Sequence, residues 1–216
     1  MKLKNNDKRG FLISVEGIDG SGKSLFSQLL FQALQEAGHS VVLTREPGGT
    51  PFSDKIRNLI FSKEIHHGKK AEYLLFAASR AQHCEELVLP ALDHGKIVIS
   101  DRMADSSLVY QGYVQGLSLE MINTINEWAM NNRKPDLIFY LKVSAKTAYE
   151  RITQRKVPLT SFENSITVLE KAIEGFDTLV APRDTVITID AQQDPSLSIS
   201  QALSLLFPLL TERVPL

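Results

Sequence analysis

Eight consecutive residues, Gly17-Ile18-Asp19-Gly20-Ser21-Gly22-Lys23-Ser24, have the form G-x-x-x-x-G-K-[ST] and follow directly on the apolar run 11–15. That spacing describes a phosphate-binding loop between a strand and a helix. Glycine lets the backbone curl tightly, so successive N–H groups converge on one anion. The start of the following helix adds partial positive charge. In such a loop Lys23 reaches the β- and γ-phosphates of a nucleoside triphosphate, and Ser24 sets its hydroxyl on Mg²⁺.

A phosphate loop alone does not separate a kinase from a switch or a motor, so the other chemistry-bearing stretches decide. Ser100-Asp101-Arg102 closes a short apolar run. In a parallel sheet, the carboxyl ends of the strands face the ligand crevice. There Asp101 can act on the Mg²⁺ shell, and the Arg102 fork can hold a second phosphate. Thr44-Arg45-Glu46-Pro47-Gly48-Gly49-Thr50 combines turn chemistry with an arginine and an acid, and Arg57 follows on the next helix. Extra basic residues near the crevice suit a phosphate-bearing acceptor. Phe76 and Arg80 stand four apart and share a helix face. That pair can stack a flat base and bond its carbonyl edge, although such pairs are commonly core plus surface. Asp105-Ser106-Ser107-Leu108-Val109-Tyr110-Gln111 offers hydroxyls and an amide for a nucleoside, and equally reads as a helix cap.

The elements that must position these groups alternate. Strands are predicted at 11–15, 41–44, 96–100, 136–143 and 185–190. Helices are predicted at 23–37, 54–60, 70–89, 106–110, 119–130, 145–155, 163–180 and 195–210. Strands alternating with helices imply an α/β fold with a parallel sheet covered on both faces. The irregular stretch 156–164 is expected to be a mobile lid within a single domain spanning residues 1–216. Twenty-four basic and twenty-five acidic residues give a formal charge of −1, so no global field favours nucleic acid or a membrane. The lone Cys84 excludes an intrachain disulfide and suits a reducing cytoplasm as a small buried filler. The polar first ten residues lack the apolar centre of a signal peptide, and no stretch reaches membrane-span length. His66, His67 and His83 form no persuasive metal set.

Taken together and in order, segments 16–24, 44–50, 75–83 and 100–111 resemble the thymidylate kinase family, over about residues 11–190. The resemblance implies a P-loop kinase fold with a five-stranded parallel sheet, usually a homodimer. It also implies ATP- and Mg²⁺-dependent phosphorylation of dTMP to dTDP in dTTP biosynthesis. Carried over by position, Gly17 to Ser24 cradle the ATP phosphates, and Ser24 and Asp101 serve the metal. Asp19 approaches the deoxyribose 3′-hydroxyl, and Glu46 lies near the acceptor. Arg57 and Arg102 surround the dTMP phosphate. Phe76 stacks on thymine, Arg80 bonds its carbonyl edge, and Ser107, Tyr110 and Gln111 line the base and sugar pocket. Two departures stand out: Met103 follows Asp-Arg where an aromatic is usual, and Ser161 stands where the lid is expected to carry arginine. Arg151 or Arg155, on the preceding helix, is then expected to supply that charge. The rival expectations are another nucleoside or nucleoside-monophosphate kinase with a shifted acceptor, or a non-catalytic nucleotide-binding protein with a degraded lid.

Overall fold

A computed structural model describes residues 10–62, 64–154 and 165–213. Five parallel strands form one sheet: β1 (Phe11–Glu16), β2 (Val41–Arg45), β3 (Ile97–Asp101), β4 (Leu137–Lys142) and β5 (Val186–Asp190), in the order β2-β3-β1-β4-β5. Helices lie between and after them: α1 (Lys23–Glu36), α2 (Pro51–Ile60), α3 (Lys69–His83), α4 (Leu89–Asp93), α5 (Ala104–Ser107), α6 (Leu119–Ala129), α7 (Ala145–Thr153), α8 (Ile166–Leu179) and, past β5, α9 (Pro195–Arg213). This is the α/β architecture of the P-loop kinases expected from the sequence. Among the described residues, no helix is long and apolar enough to cross a membrane.

The strands are apolar on both faces because both faces are covered. All six residues of β1 are buried. Phe11, Ile13 and Val15 join the larger core with Leu30 and Leu34 of α1, while Leu12 turns to the opposite cluster with Cys84, Val88, Leu92 and Met130. Ile97, Val98 and Ile99 divide between the two clusters in the same way, as a period of two requires. Burying each such side chain stabilises the fold by roughly 1.5–3 kcal/mol. Register then fixes the site. Val15 pairs with Asp101, and Arg45 pairs with Asp101 from the other side, so their strands end level at one carboxyl edge.

Three helices depart from the sequence expectation, each for a local reason. α2 starts at Pro51, earlier than 54, because Thr50 caps it through its hydroxyl to the Ser53 N–H at 3.2 Å, with proline in the first turn. The helix expected over 70–89 is interrupted by a π-helical stretch, Cys84–Val88. Pro90 has no N–H to donate to the preceding turn, and the ladder widens just before it, with the Leu89 N–H on the Cys84 carbonyl. The helix expected at 106–110 begins as α5 and continues as a second π-helical stretch, Leu108–Val114. Residues 155–164, with the expected lid and Arg155, lie outside the described residues.

Candidate active site

The loop between β1 and α1 has the conformation its glycines permit. Gly20 has φ +80°, and a Cβ there would stand 2.4 Å from the Ala148 carbonyl oxygen. Gly22 precedes α1 with φ +92° and offers no side-chain cap, so the first N–H groups of the helix stay available to an anion. Lys23 is buried; its Nζ donates to the Ile18 carbonyl at 2.7 Å and to Ser21 Oγ at 3.5 Å. Burial first, then the neighbouring Arg102, pulls its pKa down to about 8. A phosphate in the loop would reverse that pressure.

Ser24 Oγ donates to Asp101 Oδ2 at 2.6 Å, tying the first turn of α1 to the end of β3. Just past that strand Arg102 takes a left-handed backbone, φ +74°. Its guanidinium donates to the Gly17 carbonyl at 3.0 Å, to Ser106 Oγ at 2.9 Å and to Asp19 Oδ1 at 2.5 Å. It also lies 5.4 Å from the Tyr110 ring centroid. Desolvation alone would raise the Asp19 carboxyl, but Arg102 and then Lys23 outweigh it and hold the group below its usual range. Tyr110 adds its hydroxyl, accepting from the Asp19 N–H at 3.1 Å.

Behind Arg102 sits Glu16, fully buried at the end of β1. It accepts from Ser14 Oγ at 2.9 Å, the Met103 N–H at 2.7 Å and Ser106 Oγ at 2.6 Å. Burial, with Asp105 next in weight, pushes its pKa up to about 7. Met103, the unusual residue after Asp-Arg, is buried against Leu12 and Val98.

One cavity of about 400 Å³ runs from Lys23, Ser24 and Asp101 to a second group of walls bearing Arg45, Arg57, Phe76 and Gln111. Gly20, Gly22, Asp19, Glu46, Arg80, Arg102, Ser107 and Tyr110 also line it, so the expected site residues of four sequence segments converge. Arg57 donates to the Pro47 carbonyl at 2.9 Å and lies 5.1 Å from the Phe61 ring centroid. Desolvation, and then the like charge of Arg45, lowers its pKa. Arg102 adds to the same like-charge pressure on Arg57, which an anion between these groups would relieve. Phe76 is half-buried and meets Phe61 edge-to-face at 6.5 Å.

Arg80 and Glu46 line the cavity but are heavily engaged within the protein. Arg80 donates to Glu46 Oε2 at 2.7 Å, Asn126 Oδ1 at 2.6 Å, Ser107 Oγ at 3.1 Å and the Met103 carbonyl at 3.2 Å. Among the described residues these bonds take four of its five N–H groups, leaving one for a base. Glu46 also meets His83 Nδ1 at 3.1 Å, and His83 Nε2 meets Thr44 Oγ1 at 2.8 Å. Glu46, His83 and Cys84 bring donor atoms within 4.8 Å of one another. Both His83 nitrogens and the Glu46 carboxylate already have protein partners, and burial pushes the Cys84 thiol up, so packing explains that trio.

Arg151 stands on the other side of the phosphate loop. It donates to the Ala191 carbonyl at 3.0 Å and reaches the Gly20 carbonyl at 3.4 Å, within a second cavity of about 260 Å³. Sequence reasoning gave no site role to Glu16 or Glu72, and named Arg45 and Ser106 only as members of their segments. Glu16 was visible as a lone acid closing an apolar strand, and Glu72 stands four residues before Phe76, although that spacing alone gives it no partner.

A family model described as Thymidylate kinase matches residues 15–201. The chain is similar to the thymidylate kinase of Finegoldia magna, 40% identical over 195 residues, which covers 90% of this chain and 96% of that protein. It is 38% identical over 204 residues to that of Halalkalibacterium halodurans, covering 92% and 96%. It is 48% identical over 143 residues to that of Halothermothrix orenii, covering 66% and 69%. With sheet order, phosphate loop and cavity walls all in agreement, this chain belongs to the thymidylate kinase family.

Proposed function

We propose that this chain transfers the γ-phosphoryl group of ATP to dTMP, yielding ADP and dTDP for dTTP biosynthesis. One observation carries the reading: residues of the phosphate loop and the arginines Arg45, Arg57 and Arg102 line the same cavity, together with the Phe76 ring and the Gln111 side chain. Such a cavity suits a triphosphate donor and a pyrimidine monophosphate acceptor facing one another.

A phosphate oxygen of dTMP attacks the γ-phosphorus, the bond from that phosphorus to the β–γ bridging oxygen breaks, and ADP leaves. The nucleophile is already anionic, so no strong general base is needed. What the protein must supply is alignment and charge. Lys23 exchanges its contacts with Ile18 and Ser21 for phosphate oxygens. Arg102 with Arg57 and Arg45 holds the acceptor phosphate. Phe76 stacks on the base, and Ser107, Tyr110 and Gln111 line its pocket with Arg80 and Glu46. Asp19 approaches the sugar 3′-hydroxyl, and Arg151 or Arg155 brings the charge absent from Ser161 when the lid at about 156–164 closes. The hydroxyl of Ser24 and the carboxylate of Asp101 are hard oxygen donors already in contact, a pair that fits Mg²⁺. When bound, that ion neutralises phosphate charge. The reading takes the chain as one kinase domain, working as a homodimer in the cytoplasm.

A coupled ADP-release assay across dTMP, dUMP, UMP, dCMP, dGMP and thymidine tests reaction and acceptor together. The highest kcat/KM is expected with dTMP. A tenfold preference for another acceptor would overturn the substrate, and no ADP with any of them would overturn the reaction.

A further inference from the structure

Glu72, Phe76 and Arg80 follow one another at intervals of four along α3 and form a single stripe. Phe76 and Arg80 line the cavity, whereas Glu72 is buried one turn further back. Its Oε1 accepts from the side-chain Nε2 of Gln111 at 3.2 Å and of Gln115 at 2.9 Å. His67 Nδ1 lies 3.7 Å from the other carboxylate oxygen. Gln111 itself is buried and lines the cavity from the π-helical stretch.

An amide has a donor end and an acceptor end, and an ionised carboxylate accepts only. Glu72 therefore dictates which way the Gln111 amide points. Reversed, Gln111 would set its oxygen against a carboxylate oxygen, two acceptors in contact with no proton between them. Among the described residues, Gln111 Oε1 accepts no hydrogen bond, nor is it among the buried atoms sealed without a partner. The group this leaves for the cavity is a carbonyl oxygen of fixed orientation.

We propose that Glu72 is a specificity-determining positioning residue, holding the Gln111 carbonyl toward the acceptor base. The site then accepts a pyrimidine with a ring N–H at that position and rejects one with a bare ring nitrogen. Thymine and uracil present N3–H, a donor, whereas cytosine presents a lone pair there. The proposal rests on the dTMP reading above and adds the device that excludes dCMP.

The experiment compares kcat/KM for dTMP and dCMP in wild type, Glu72→Gln, Gln111→Leu and the double variant. Wild-type turnover of dTMP tests the functional reading by itself, and its absence would sink that reading. In Glu72→Gln the neighbour can offer either end, so the Gln111 amide is free to reverse. The dTMP-to-dCMP ratio is expected to fall about tenfold or more, with slower dTMP turnover and faster dCMP turnover. A role in packing alone would slow both acceptors together and leave the ratio unchanged, which would overturn the proposal. In the Gln111→Leu background, Glu72→Gln is expected to change the ratio no further; a persisting effect would equally overturn it. Should Glu72→Gln fail to fold, Glu72→Met, of similar volume and without acceptors, carries the same expectation.

Discussion

Arg102 Nη2 meets Asp19 Oδ1 at 2.5 Å, joining the residue just past β3 to the phosphate loop. Both side chains line the cavity. The Arg102 backbone is held at φ +74° to make the contact, a conformation that costs a non-glycine residue roughly 1–2 kcal/mol.

That strain separates stability from function at one position. Arg102→Ala and Arg102→Gly both remove the guanidinium and are expected to lower kcat/KM for dTMP by about a hundredfold or more. Glycine also relieves the backbone, so Arg102→Gly is expected to be more stable than Arg102→Ala by about 1 kcal/mol in urea unfolding. Equal stability would mean that the left-handed turn carries no strain.

Lys23 ties nucleotide binding to proton uptake. With its pKa drawn down to about 8, a growing fraction of the ammonium is neutral as pH rises through that value. Triphosphate binding favours the charged form, so ATP affinity is expected to weaken above about pH 8, with net proton uptake near that pH. Calorimetry in buffers of different ionisation enthalpy measures the uptake directly. It is expected to vanish in Lys23→Met, which should remain folded while turnover drops by orders of magnitude.

Glu16 makes the opposite linkage visible in stability. Its folded pKa of about 7 lies above the ordinary 4.5, so between those values the folded state binds the proton more tightly. The contribution is fully present below about pH 4.5 and is lost as pH rises through about 7. Asp105 and Arg102 face the same carboxyl and act with it. Between pH 5 and 7 wild type is expected to lose on the order of 2 kcal/mol from this group, and Glu16→Gln to lack that component. Parallel urea titrations at the two pH values check the sign: a Glu16→Gln slope matching wild type would refute it.

Arg151 reaches the Gly20 carbonyl of the phosphate loop from within the second cavity. Arg151→Ala is expected to lower kcat at least tenfold, part of the 10³–10⁵ that a transition-state arginine can supply. Near-wild-type kcat in both Arg151→Ala and Arg155→Ala would remove both as the source of that charge.

The sequence carried the architecture because each strand is a short, largely apolar run ended by a charged residue at the carboxyl edge, as in Ile97 to Asp101. The phosphate loop was legible because its glycines and lysine are consecutive. Register was less so: that Arg45 and Val15 both end level with Asp101 depends on pairing across the sheet. The π-helical stretch at Leu108–Val114 left no periodic signal, yet it carries Tyr110 and Gln111 into the cavity. Arg80 shows the limit most clearly. Its spacing from Phe76 was correct, but its four protein bonds come from Glu46, Met103, Ser107 and Asn126, none of them a neighbour in sequence.

The most direct measurement follows label from [γ-³²P]ATP in the presence of Mg²⁺ and dTMP. Labelled dTDP in step with ADP, abolished in Lys23→Met, is the expected result. ADP released with the label in inorganic phosphate, and none in dTDP, would contradict phosphoryl transfer between two facing anion pockets.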